Sequence, residues 1–178
     1  MAKNMQKKAV FNWSGGKDSA LALYKVLARD EYEVISLLTT INTDSKRSSM
    51  HGIPAALLQA QAESIGIPIH LIETSPDSGM ENYEQAMKVA VEHFTALGVT
   101  HFIFGDIFLA DVKAYREKQL QEYGITVVEP LWLRTTEQIM EEFLASGLQT
   151  IIVTVTADVL EKEFIQRKID RDFFKTLT

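Results

Sequence analysis

Residues 11–23 read FNWSGGKDSALAL and predict a strand that runs through a glycine turn directly into a helix. The strand is predicted over Lys7 to Asn12, the turn at Ser14-Gly15-Gly16, and an amphipathic helix from Lys17 onwards. The unpaired N–H groups of a first helical turn point at one spot and carry the positive end of the helix dipole. Glycine lets the backbone approach an anion closely. The stretch therefore predicts a phosphate-binding loop.

The charged and hydroxyl side chains of the loop fit the same interpretation. Lys17 supplies a positive charge, and Ser14 and Ser19 can donate hydrogen bonds to phosphate oxygens. Asp18 would repel a phosphate, so we interpret it either as a Mg²⁺ ligand or as the cap of the new helix. The spacing of SGGKDS matches neither the Walker loop nor the dinucleotide-binding loop.

Size and composition limit the classes of function. A length of 178 residues fits one domain, with 46% hydrophobic and 24% charged residues. No apolar run is long enough for a membrane span and no signal peptide is recognisable, so we expect a cytoplasmic protein without a membrane partner. The net charge of −6 argues against nucleic-acid binding. The absence of cysteine excludes disulfides and thiolate catalysis.

Strand and helix patterns alternate six times along the chain, which predicts one doubly wound α/β fold. Near-continuous apolar strands are typical of a mostly parallel sheet covered on both faces. We expect a Rossmann-like nucleotide-binding domain over 1–130. The predicted strands are 7–12, 33–40, 67–72, 99–104, 125–128 and 149–155. The last two predicted helices are 157–164 and 170–177.

Ligands of such sheets bind at the carboxyl ends of the strands. Leu38, Thr39 and Thr40 end the second predicted strand, so their backbone groups are expected beside the phosphate-binding loop, where they would contact an adenine ring. Gly105 and Asp106 follow the fourth strand, where a glycine would admit a ligand and an acid would hold a metal or a ribose hydroxyl. The alternative for this pair is an ordinary turn.

The polar stretch 42–52, NTDSKRSSMHG, is predicted to be a loop that reaches the same end of the sheet. Arg47 is a candidate to contact the phosphates or the substrate, because cations there would offset charge on a departing pyrophosphate. His51 is a candidate base or donor. The alternative for both side chains is a solvated loop.

Five segments in order along the chain resemble the N-type ATP pyrophosphatases, and among them the diphthine–ammonia ligase type. They are SGGKDS at Ser14 to Ser19, SMHG at Ser49 to Gly52, QAESIGIP at Gln61 to Pro68, FGDI at Phe104 to Ile107, and EPLW at Glu129 to Trp132. The resemblance implies an adenine nucleotide alpha hydrolase-like fold, followed by a small C-terminal lobe over 131–178. It also implies an enzyme that splits ATP between the α and β phosphates and attaches AMP to an acceptor carboxylate. Ammonia then displaces AMP to form an amide.

The resemblance also implies roles for particular residues. Trp13 to Ser19 would contact ATP, and Asp18 and Asp106 would bind Mg²⁺. Arg116 and Glu117 lie on a predicted helix where the family carries an arginine and a glutamate facing the cleft, although solvated charges are the alternative. Pro130 and Trp132 would line the acceptor pocket, although they could instead plug a core.

The partners expected from these observations are ATP, ammonia and a carboxylate acceptor, which is either a protein or a small molecule. The protein acceptor implied by the resemblance is the modified histidine of a translation elongation factor. A homodimer is among the expected assemblies. Members of the family usually continue into an acidic segment that the final RDFFKTLT does not match. We therefore expect a fragment, a natural short form or a site completed by a partner, and a nucleotide-binding module without turnover is the rival function.

Overall fold

Strand β1, Lys7–Asn12, is the central strand of the sheet. Its middle residues Ala9, Val10 and Phe11 are fully buried, because the strand is flanked by neighbours on both edges and covered on both faces. It pairs in parallel with β2, Tyr32–Asn42, along one edge and with β5, His101–Ile103, along the other. The computed structural model describes residues 5–75 and 79–175.

Two further parallel strands extend the sheet. Strand β4, Ile69–Thr74, pairs with β2, and β6, Thr126–Val128, pairs with β5. The parallel strands therefore lie in the order β4-β2-β1-β5-β6, and the order of connection reverses between β1 and β5. Crevices at such reversals are where open α/β sheets bind ligands. The predicted mostly parallel, doubly wound sheet is confirmed.

Helices follow the strands, as the alternating pattern predicts. They are α1, Lys17–Leu27; α2, Ala55–Ile65; α3, Gly79–Ala96; and α4, Ala110–Gln121. The main core packs α3 against the sheet through Phe94, Val10, Phe102 and Phe104. In the described part of the chain, no helix combines the length and apolar character needed to cross a bilayer.

Two segments differ from the sequence prediction. The stretch 42–52 contains a short antiparallel strand, β3, Arg47–Ser48, which pairs with Ile41 and Asn42 at the end of β2. The strand predicted over 149–155 is wrong: Ile151 forms only an isolated bridge to Lys168 and is 57% exposed. Backbone hydrogen bonds join Thr150 and Ile152 to the stretch 166–169. β-branched residues favour strands where a buried face receives them, and none of residues 149–155 is buried. The sixth strand of the sheet is β3.

The chain divides into two compact units, Met1–Leu133 and Arg134–Thr178. The assignment of 1–130 as a nucleotide-binding domain and 131–178 as a small lobe stays a prediction. In the second unit, α5, Thr136–Ser146, begins with a capping box between Thr135 and Gln138. It is followed by a 3-10 helix, Lys162–Phe164, and by α6, Arg171–Lys175. The helix predicted over 157–164 is limited to this 3-10 helix at its end. The helix predicted over 170–177 is present from Arg171 to Lys175, and residues 176 and 177 lie outside the described residues.

Candidate functional site

The loop between β1 and α1 leaves the first turn of α1 available to a ligand. The helix begins after Gly16, and no side chain caps its first turn in the described structure. Gly15 has a φ of +77°, a conformation that glycine adopts without steric cost. The loop stands beside the reversal between β1 and β5. Uncapped N–H groups at the positive end of a helix dipole form an anion-binding site.

The two serine hydroxyls of the loop fasten the loop to itself. The Ser14 N–H donates to Ser19 Oγ at 3.2 Å, and the Gly16 N–H donates to Ser14 Oγ at 3.3 Å. Ser19 is only 4% exposed. A hydroxyl that accepts one bond still has its own proton to donate. Both hydroxyls thus stabilise the loop, and their donation of hydrogen bonds to phosphate stays a prediction.

Lys17 and Asp18 form an ion pair in the first turn of α1. Both side chains are partly exposed, so they border the space in front of the helix. Because Gly16 is the N-cap residue, the interpretation of Asp18 as the helix cap is wrong. An acidic side chain in a first helical turn is favoured by the dipole, and the carboxylate remains a candidate metal ligand.

Helix α2 supports the loop from behind through Gln61, which the sequence reasoning did not single out. Gln61 Oε1 accepts a hydrogen bond from the Trp13 indole N–H at 3.1 Å, and its amide donates to the Gly15 carbonyl at 3.4 Å. A Cβ on Gly15 would lie 2.8 Å from Leu58 Cδ2 and 2.9 Å from Ile53 Cδ1. Trp13 is thus a buried anchor of the loop. The signal for Gln61 was its place in the QAESIGIP segment.

The end of β2 lies beside the loop, as predicted for Leu38, Thr39 and Thr40. The Leu38 carbonyl accepts from the Trp13 N–H at 2.8 Å, and the Thr40 carbonyl accepts from the Ser49 N–H at 3.0 Å. These two carbonyls are therefore already engaged. That backbone groups of this segment contact adenine stays a prediction.

Gly105 lies against the backbone of α1, where a Cβ would come within 2.9 Å of Ser19 Cα and 3.3 Å of the Asp18 carbonyl carbon. Because Gly105 has no side chain, α1 can pack directly against it, whereas the sequence prediction was that Gly105 leaves room for a ligand. This contact brings Asp106, the next residue, to the same edge of the sheet as Asp18. Contact between Gly105 and a nucleotide stays a prediction.

Arg116 and Glu117 diverge on α4, as adjacent helical residues must. The Arg116 guanidinium forms an ion pair with Asp106, and its Cζ lies 4.1 Å from the centre of the Phe104 ring. Glu117 is 52% exposed. Arg116 therefore lies at the ligand-binding edge, and Glu117 lies on the solvent side.

Arg47 and His51 are exposed in the turn after β2. The Arg47 guanidinium donates to the Gly52 carbonyl at 2.7 Å. Within residues 5–75 and 79–175, no hydrogen bond or ion pair joins either side chain to the SGGKDS loop. Their predicted roles stay predictions.

The EPLW segment contains a buried ion pair that the sequence reasoning did not identify. Glu129 Oε2 accepts from Lys113 Nζ at 2.9 Å, and the Glu129 side chain is 0% exposed. Lys113 Nζ lies 4.6 Å from the centre of the Trp132 ring, a cation–π distance. Trp132 and Pro130 are each half-buried, so neither is a closed core plug. The turn stays a candidate substrate site.

A family model described as the diphthamide synthase N-terminal domain matches residues 6–127. The chain belongs to this family. The family falls within the PP-loop ATP pyrophosphatase superfamily, whose members use ATP. The match runs from β1 into β6 and includes the loop, Gly105, Asp106 and Arg116. No curated protein matches the sequence.

Among solved structures, the chain is similar to a protein from Methanocaldococcus jannaschii described as a predicted subunit of tRNA methyltransferase. The TM-score is 0.52 and the identity is 18%, over 84% of this chain and 80% of that one. At this identity the likeness confirms the α/β fold alone.

The carboxylates of Asp18 and Asp106 suit the Mg²⁺ that accompanies ATP in this superfamily. Among the described residues, no group of three or more acidic or histidine side chains could hold a metal by itself. Mg²⁺ that binds with a nucleotide takes phosphate oxygens and needs only one or two carboxylates. Both aspartates are partly exposed, and each already forms an ion pair, Asp18 with Lys17 and Asp106 with Arg116, so their role as ligands of such an ion stays a prediction.

Proposed function

We propose that this chain binds ATP at the SGGKDS loop, transfers AMP to an acceptor carboxylate and then forms an amide with ammonia. The observation that carries the proposal is the uncapped first turn of α1 at the reversal of the sheet, with Lys17 and Asp18 bordering it. The membership of an ATP-using family supports it.

The reaction has two steps. An acceptor carboxylate oxygen attacks the α-phosphorus, the bond to the β-phosphate bridging oxygen breaks, and pyrophosphate leaves. The nitrogen of ammonia then attacks the acyl carbon and loses a proton, and the bond to the AMP oxygen breaks. Neither step needs a covalent bond to the protein, so the required contributions are alignment and charge stabilisation.

The side chains of this edge supply those contributions. The N–H groups of α1 and the Lys17 ammonium offset charge on the phosphates. Mg²⁺ held by Asp18 and Asp106 would add positive charge at the same place. Arg116 holds the Asp106 carboxylate in position and faces the same edge. Arg47 and His51 would have to approach the phosphates from the exposed turn.

A protein acceptor is favoured over a small acid by exposed apolar side chains near the EPLW turn. The Leu133 N–H donates to the Ile107 carbonyl at 2.9 Å, which joins the turn to the segment after Asp106. Phe108 is 62% exposed and Leu133 76% exposed. Exposed apolar groups beside a site are typical of a surface that receives another protein.

The test is incubation with Mg²⁺ and α-labelled ATP, with and without ammonium, for the wild type, Lys17→Ala and Asp18→Ala. Without an acceptor, water takes the place of the carboxylate at the α-phosphorus, so we expect labelled AMP and pyrophosphate from the wild type and at least about a tenfold loss in both variants. Lys88→Ala, an exposed lysine on α3, is the matched control and should retain activity. ADP with phosphate would indicate another ATPase, and an absence of nucleotide binding would refute the proposal.

A further inference from the structure

The Glu129 carboxylate is buried with one of its two oxygens unsatisfied. Oε2 accepts from Lys113 Nζ at 2.9 Å. Oε1 is shielded from solvent, and within the described residues no donor reaches it. A buried carboxylate oxygen without a hydrogen-bond donor is costly. The position therefore calls for an N–H or O–H group that the described chain does not provide.

The charges around Glu129 favour a cation as that donor. Lys113 Nζ also lies 3.7 Å from Glu117 Oε1. The half-exposed Glu117 thus shares Lys113 with the buried Glu129, so the lysine balances the Glu129 charge only in part. An ionised carboxylate only accepts hydrogen bonds, so a cation that carries N–H groups would satisfy both the charge and the free oxygen.

The fold places this carboxylate beside the candidate nucleotide site. The Phe104 N–H donates to the Val128 carbonyl at 2.9 Å. Gly105-Asp106 and Glu129 therefore directly follow two residues that are hydrogen-bonded to each other. The Ile107 carbonyl accepts from the Leu133 N–H at 2.9 Å, so the two following segments also stay together. A group bound at Glu129 is thus held at the same edge of the sheet as Asp106.

We propose that Glu129 forms the subsite for the nitrogen nucleophile, held as ammonium through an N–H···Oε1 hydrogen bond. This assignment rests on the proposed function, because it names where the ammonia of the second step is collected. Because Oε1 has no surface that a water-sized group reaches, ammonium contacts it only when neighbouring side chains move aside. Glu129 binds and positions the nitrogen as ammonium, which loses one proton to solvent and becomes ammonia before it attacks the acyl carbon.

Thermal unfolding of the full chain without nucleotide tests the subsite directly. A ligand that binds only the folded state raises Tm, by about 2–4 °C at roughly five times its Kd for a chain of this size. We expect this rise with ammonium chloride relative to potassium chloride at equal ionic strength, since K⁺ has a similar size but no N–H. Tetramethylammonium, which has the charge without a donor, should behave like K⁺.

Matched variants test whether ammonium binds at Glu129. Glu129→Gln should abolish the difference between ammonium and potassium, and Glu122→Gln, an exposed glutamate near the end of α4, should retain it. Lys113→Met leaves Oε2 without a donor as well, so the rise in Tm with ammonium should be larger than in the wild type. This variant decides the outcome if Glu129→Gln does not fold. Equal shifts in K⁺ and ammonium, or a shift that persists in Glu129→Gln, would overturn the subsite.

Failure of the subsite and failure of the proposed function give different results. Unfolding in ammonium involves no ATP, whereas release of labelled AMP reports the ligase chemistry. Where turnover is present, Glu129→Gln should raise the ammonium concentration for half-maximal amide formation at least tenfold and leave the KM for ATP within twofold. A normal ammonium dependence in that variant would reject the subsite and leave the proposed function standing.

Discussion

Gly105 and Ser19 are in direct backbone contact: a Cβ on Gly105 would lie 2.9 Å from Ser19 Cα and 3.1 Å from its nitrogen. The contact joins the end of β5 to the first turn of α1, on the two sides of the reversal in strand order. The missing side chain of Gly105, directly after β5, thereby allows the close packing of α1, the helix that we propose binds phosphate.

The substitution Gly105→Ala should therefore destabilise the protein. Its methyl group meets backbone atoms, which cannot move aside as a side chain can, so we expect a loss of about 1–3 kcal/mol in the free energy of unfolding. Urea unfolding measures it. The control is Gly16→Ala in the same loop, where φ is negative and the new Cβ would meet only Ser14 Oγ at 3.5 Å. Equal stabilities for the two variants would contradict this account.

Gln61→Ala should loosen the loop from α2. The buried Trp13 indole N–H loses its acceptor and the Gly15 carbonyl loses a donor. We expect a loss of about 1–3 kcal/mol in unfolding free energy and weaker ATP binding by calorimetry. Gln61→Glu keeps an acceptor for Trp13 and should be intermediate. Gln59→Ala, exposed on the same helix, is the control, and an effect as large at this position would argue against a specific role for Gln61.

Arg116→Ala and Glu117→Ala form a matched pair on α4. Without Arg116 the Asp106 carboxylate loses its cation and repels the phosphates more strongly, so the Kd for ATP should rise about tenfold, or about 1.4 kcal/mol. Glu117→Ala should change it by less than twofold, since that side chain faces solvent. Equilibrium binding in the presence of Mg²⁺ measures both values. Similar effects from the two variants would mean that the helix face is assigned incorrectly.

Stability should fall at acidic pH in part because of His70. Burial and the nearby His93 lower the pKa of the His70 imidazole below its ordinary 6.5, and the two rings stack with centroids 5.7 Å apart. The unfolded chain therefore binds a proton more readily than the folded chain. The contribution of His70 to the free energy of unfolding is therefore fully present above about pH 6.5, and it declines as the pH falls below that value.

Thermal unfolding between pH 7.5 and pH 5.5 measures this dependence. His70→Gln should make the decline shallower, although His101, whose pKa is lowered chiefly by burial, will maintain part of it. The exposed His51 provides the control variant, His51→Gln, which should follow the wild type. An unchanged slope in His70→Gln would count against the assignment.

Several features were predictable because they depend on neighbouring residues alone. The strand, glycine turn and helix start at SGGKDS are local, and the bounds of β1, Lys7–Asn12, agree with prediction. Helix α1 begins at Lys17, as expected. Apolar runs also predicted the parallel sheet, since a strand buried on both faces must be apolar on both faces.

Other features depend on what packs nearby. The apolar run at 149–155 has a strand-like composition, yet no neighbouring strand receives it. The polar Arg47 and Ser48 become a strand because the end of β2 offers an unpaired edge beyond the end of β1. In both cases hydrogen-bond partners distant in sequence decided the conformation.

By itself the sequence determined the class of sheet, the phosphate loop and the family, because these are encoded in local spacing and hydrophobic period. Only the tertiary structure decided that Gly105 receives α1, that Gln61 holds Trp13, and that Glu129 is buried against Lys113 with a free oxygen. The residues in each of these contacts lie between 16 and 86 positions apart in the sequence. Contacts at such separations form only once the strands have taken their order in the sheet, because the local sequence does not specify which distant side chain packs against a given residue.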